Sequence, residues 1–119
     1  MVTLVNKNLR KGYLASYSKK GWLWLSKLCE MDYCEGCNRA VVTYNRELDQ
    51  LEICPHESSG WVADTDVYML IPIEDNGVVI RLLLFLDIAE ARDLFGQYLP
   101  FYDKERQMIC INLKERIKK

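Results

Sequence analysis

The sequence predicts a small single α+β domain over residues 1–119, an antiparallel sheet with two hairpins and one or two helices. Three observations predict it. Asn76-Gly77 separates two apolar runs, and this dipeptide is the strongest short hairpin signal because both residues tolerate positive φ. Arg39–Asn45 is rich in β-branched residues, and Gln50–Cys54 alternates apolar with polar, leaving 46–49 as a loop between them. Ile88, Ala91, Leu94, Phe95, Tyr98 and Leu99 fall at helical spacing.

Taken in order, Thr3–Leu9 reads as a short strand and Gly12–Ser18 as a weaker one. From Lys19 to Met31, Trp22, Leu25, Leu28 and Cys29 recur at helical spacing with Ser18 as N-cap, so the stretch is read as helix. The run Trp22-Leu23-Trp24-Leu25 is apolar all round and leaves a buried strand as the alternative. Asp66–Ile73 and Val78–Leu86 form the arms of the Asn-Gly hairpin, the second arm apolar enough to be a central strand covered on both faces. Asp87 and Glu90 have the spacing of a capping box, and Pro100 ends the helix that follows. Gln107–Leu113 is the last strand, ahead of a basic tail.

Half of the residues are apolar and 28% are charged, a globular composition rather than a disordered one. No apolar run approaches the roughly 20 residues that span a bilayer, and the first residues lack the layout of a signal peptide. The expectation is an intracellular, cytoplasmic protein without a membrane partner. The net charge of −1 conceals three blocks. Residues 1–29 hold six cations and no acid, residues 30–99 hold fourteen acids against four arginines, and residues 100–119 hold six cations and three acids. Such blocks speak of partners rather than of fold.

Five cysteines need an account, and three of them lie near the only histidine. Cys34-Glu35-Gly36-Cys37 places two residues between thiols, the spacing that lets a tight turn aim both sulfurs at one tetrahedral ion. Across the 39–54 hairpin follows Cys54-Pro55-His56, whose i, i+2 side chains share one side of an extended backbone. Residues 34–56 thus resemble a zinc ribbon inserted in the domain. The resemblance implies a structural Zn2+ held by Cys34, Cys37, Cys54 and His56. The second half departs from the family, which repeats a two-residue spacing, so Cys29 stands as an alternative fourth ligand. A thioredoxin-like pair fits less well, because a strand rather than a helix follows Cys37. A disulfide is the other alternative. Elsewhere the chain resembles no whole-chain family, as befits a rapidly diverging viral or mobile-element product.

Catalysis is the weaker expectation. Glu57 directly follows His56 and does not reproduce the His-x-Glu ahead of Pro-Cys-x-x-Cys of zinc deaminases, and there is no glycine-rich phosphate loop. Binding is the stronger one. Lys7, Arg10, Lys11, Lys19 and Lys20 interleave with Tyr13, Tyr17, Trp22 and Trp24, and cations with rings are what nucleic acid requires. Within that segment Tyr13, Tyr17 and Trp24 are the expected stacking groups. A zinc-stabilised nucleic-acid-binding module is the first reading. A zinc-stabilised protein-interaction or regulatory factor, docking a partner or a second copy through an apolar or acidic surface (Asp64, Asp66, Glu74, Asp75), is the second.

Overall fold

The computed structural model describes residues 12–57 and 67–118. Among these, eleven strands and two helices build two antiparallel sheets, so the chain is richer in strand than the α+β reading implied. The six-stranded sheet runs β11 (Arg116–Lys118), β8 (Gly96–Tyr98), β1 (Ala15–Tyr17), β2 (Trp22–Leu25), β7 (Val78–Arg81), β6 (Ile71–Pro72). The five-stranded sheet runs β5 (Val67–Met69), β3 (Cys37–Asn45), β4 (Gln50–Glu57), β10 (Met108–Asn112), β9 (Phe101–Asp103). Helix α1 is Lys27–Tyr33 and α2 is Leu86–Arg92.

Cross-strand rows explain the burial. In the larger sheet Tyr17, Leu23 and Ile80 lie in register, beside a second row of Ala15, Leu25 and Val78. In the smaller sheet Val42, Ile53 and Ile109 form one row, and Tyr44, Leu51 and Ile111 the next. These rows join one buried apolar cluster drawn from both sheets. Each strand therefore turns alternate residues inward and the others outward.

The chain crosses between the sheets four times, first from β2 through α1 to β3. A single residue, the buried Leu70, separates β5 from β6, so one extended stretch is the edge of both sheets. Leu99-Pro100 separates β8 from β9, and 113–115 separate β10 from β11. Proline has no amide to donate to a ladder, which suits a crossing point.

The β3–β4 hairpin and the strand within 107–113 stand where the sequence placed them, whereas the Asn-Gly turn keeps only Ile71–Pro72 and Val78–Arg81 as its arms and the basic tail adds a further strand, β11. The helical expectations changed. The stretch from Lys19 divides into β2 and α1, because Leu23 and Leu25 are fully buried while Trp22 and Trp24 point to the other face. Ser18 caps no helix. Ser26 precedes α1, and its hydroxyl donates to the Gly12 carbonyl at 2.5 Å rather than capping. Helix α2 is shorter than expected and begins after Phe85 with no side-chain cap, so Asp87 and Glu90 make no capping box. Asp93 turns left-handed, with φ 54°, and the chain continues into β8. The expected strand Thr3–Leu9 lies outside the described residues.

The β3–β4 loop is anchored to α2. Asp49, at φ 53°, accepts two bonds from the Arg92 guanidinium at 2.8 and 2.7 Å and one from the Tyr44 hydroxyl at 2.7 Å. The Arg92 bonds, helped by Tyr44, outweigh partial burial and hold the Asp49 carboxyl near 2, below its ordinary 3.8. A carboxyl with a depressed folded value stabilises above the unfolded value, and that stability is lost as pH falls through the folded one. Water screens the pair, since Arg92 remains 42% exposed. Asp49→Asn is expected to lower stability at pH 7 by roughly 1 kcal/mol in urea unfolding. The variant should also lose stability less steeply than the parent between about pH 4 and pH 2.

Candidate functional site

The β3–β4 register decides the fate of the zinc ribbon. Cys37 faces Glu57 across the ladder, a bulge follows, Arg39 faces His56, and Val41 faces Cys54. Cys54 is therefore level with a residue four positions beyond Cys37, about 13 Å along a strand. The faces differ as well. Ile53 is fully buried in the core, so its neighbour Cys54 turns to the outer face of the sheet, and His56 with it. Cys34, which ends α1, is instead part of the buried cluster, and Cys37 packs against it. Among the described residues no group of three or more His, Cys, Asp or Glu is arranged to hold a metal ion. The zinc-ribbon resemblance is thereby overturned: Cys34, Cys37, Cys54 and His56 do not converge, and Cys29 does not complete a set.

What remains is a run of thiols under the end of α1. Cys29 is fully buried, Cys34 nearly so, and Cys37 half-buried. Burial, then the neighbouring Cys29 and Cys37, pushes the Cys34 thiol up to about 12. Burial also raises Cys29, against hydrogen bonds that involve Ser26 and the Leu14 backbone. Burial raises Cys54 and takes Cys110 to about 11.

The basic aromatic segment is only partly brought together. Lys7, Arg10 and Lys11 lie outside the described residues. Tyr17 is buried, donates to the Leu82 carbonyl at 2.7 Å, and stacks on Phe95 with centroids 5.7 Å apart, so its ring belongs to the core. Tyr13 stacks on Tyr33, which stacks in turn on Tyr102, and the Tyr13 hydroxyl donates to Asp32. Trp24 is half-buried on the outer face of the six-stranded sheet, its indole donating to the Asn76 carbonyl at 2.6 Å beside the acidic Glu74-Asp75 turn. Trp22 is the open ring. It is 42% exposed and stands in register with the exposed Arg81, at the end of β2 reached from the exposed Lys19-Lys20 turn. Its alternation with Leu23 was the signal that could have distinguished it from a helical core residue.

A second surface was hidden by an expected strand. Val78–Arg81 is β7, but the chain then leaves the sheet, and Leu83 and Leu84 project outward, Leu84 at 79% exposure. Beside them lies an open groove of about 400 Å³, lined in part by Thr43, Tyr44, Tyr68, Phe85 and Ile88. Asp87 and Glu90 are exposed on the adjacent α2. In the sequence, the excess of apolar residues over one strand's needs at Leu82–Leu86 was the available signal.

A polar cluster lies on the outer face of the smaller sheet. Glu52, 4% exposed, accepts from Arg106 at 2.5 and 3.1 Å, from Gln50 at 2.9 Å and from Asn45 at 3.1 Å. Burial opposes its charge, yet these donors together hold its carboxyl below the ordinary range. All four groups satisfy one another, which marks the cluster as a clasp of the β3–β4 loop end.

No helix among the described residues is long and apolar enough to cross a membrane. Compared with protein-family models, with curated proteins and with solved structures, the chain matches none. Removal of metal offers a direct check on the corrected site. Excess chelator should leave the thermal midpoint within about 1 °C of its starting value, whereas a large fall would restore a metal-held hairpin.

Proposed function

We propose that the chain is a protein-docking module whose contact surface is the corner from Leu82 to Ile88 with the groove beside it. One observation carries this reading: Leu84, a large apolar side chain, stands 79% exposed on the lip of an apolar groove. Exposed apolar side chains scattered singly are ordinary. Here the exposed Leu84 and Ile88 both line a concave surface that offers tyrosine and phenylalanine rings, the usual make-up of an interface centre. The flanking Asp87 and Glu90 add a negative rim, which favours a partner carrying an apolar knob between basic residues. Placing a photoreactive benzoylphenylalanine at position 84 tests this in cells expressing the protein. A discrete covalent adduct, absent with the probe at Lys20 and reduced at least about tenfold by Ile88→Glu, is the expected outcome. Equal labelling from both positions would refute the docking surface, and an adduct of twice the chain mass would make the partner a second copy.

A second reading, single-stranded nucleic-acid binding, is supported by Trp22. This exposed ring stands opposite Arg81 and next to Lys19-Lys20, so a base stacked on it would have cations within reach of its phosphates. Among the described residues Lys19, Lys20 and Arg81 are the cations that adjoin the ring in sequence or register, which corresponds to a log–log salt slope of about −2. On this reading a short oligothymidine quenches tryptophan emission, and Trp22→Ala lowers its affinity about tenfold. An unchanged affinity in Trp22→Ala excludes this face.

A further inference from the structure

We propose that Cys34 and Cys37 form a dithiol clasp that hydrogen peroxide closes to a disulfide, tying the end of α1 to the start of β3. The two residues are the first and last of a hydrogen-bonded turn, with the Cys37 amide donating to the Cys34 carbonyl at 2.9 Å. Gly36, at φ 78°, supplies the left-handed third position of that turn, a conformation that glycine adopts without steric cost. A turn of this kind brings the first and fourth Cα atoms within about 7 Å, inside the range a disulfide can bridge. Both thiols border one open hollow of about 530 Å³ over the helix end. Peroxide therefore has access to the half-buried Cys37 without unfolding of the domain, while the buried Cys34 is shielded as its resolving partner.

The chemistry balances in two steps. The Cys37 sulfur, as thiolate, displaces hydroxide from peroxide and becomes a sulfenic acid, and the hydroxide takes up the thiol's proton to leave as water. The Cys34 sulfur then attacks the Cys37 sulfur. The S–S bond forms, the sulfenic hydroxide leaves, and with the Cys34 proton it gives a second water. Two thiols are oxidised, and one peroxide is reduced to two waters.

The setting makes this clasp slow. Cys34 caps the C-terminal end of α1, where the helix carbonyls disfavour a thiolate. Burial holds its thiol far above neutrality. A catalytic dithiol sits at a helix N-terminus and is activated by it. This pair has the opposite placement, so it suits a long-lived covalent state rather than turnover.

Intact mass measurement on the purified, folded chain tests the proposal. Peroxide should remove about 2 Da, dithiothreitol should restore the mass, and peptide mapping should join Cys34 to Cys37. Cys37→Ser and Cys34→Ala should each abolish the loss, and Cys110→Ser should retain it. Cys37→Ser alters a half-buried position, so it remains informative where Cys34→Ala fails to fold. Accumulation of Cys37 with one or two added oxygens and no loss of about 2 Da overturns the clasp. So does a bond from either residue to Cys29.

Discussion

The register of β3 against β4 is the constraint on which the rest of the structure depends. These are the two longest strands, and the smaller sheet grows outward from them on both sides. A slip by one residue would send either Ala40 and Val42 or Leu51 and Ile53 to the outer face and take one strand's contribution out of the core. The loop from Arg46 to Asp49 sets that register, with Asp49 in the left-handed conformation and held from outside by Arg92. At the same end Glu52 gathers Asn45, Gln50 and Arg106. Two separate polar anchors thus sit beside one turn, one on each face of the hairpin.

The same register separates what the sequence had grouped. Residues that look adjacent in a spacing pattern are parted when a ladder assigns them to different levels and opposite faces. Cys54 and His56 take the outer face because Ile53 and Pro55 lie on the inner one, and Cys37 stands at the far end of β3. The thiols that do become neighbours are Cys29, Cys34 and Cys37, brought together by a short helix and a turn.

Legibility followed the range of the forces. The turn at Asn76-Gly77 and the loop at 46–49 were readable because their causes are local, residing in φ preferences and β-branching. The inward position of Ile53 was readable from the alternation of residues 50–54. Trp22 and Trp24 were not, because a scale that counts tryptophan as apolar cannot see that Leu23 and Leu25 alone face inward. The segment from Leu94 to Tyr98 was misread for a related reason: a run of large apolar residues fits a helix face and a short core strand alike, and Asp93 at positive φ decided between them. Leu84 was misread because a continuous apolar run reads as a buried strand until the strand is known to stop at Arg81. Which surfaces meet across the core is set by four crossings between sheets, and no local pattern announces those.

The stretch from Val67 to Pro72 belongs to both sheets, with Leu70 as its buried corner. Peeling it from β3 also loosens its hold on β7, so neither layer has an independent outer margin on this side. Slow amide exchange in β3 and β7 should then report a single opening event with one free energy rather than two, as in a cooperative unit. The two layers are in that sense one mechanical body, and a force applied at either sheet is carried into the other through six residues of backbone.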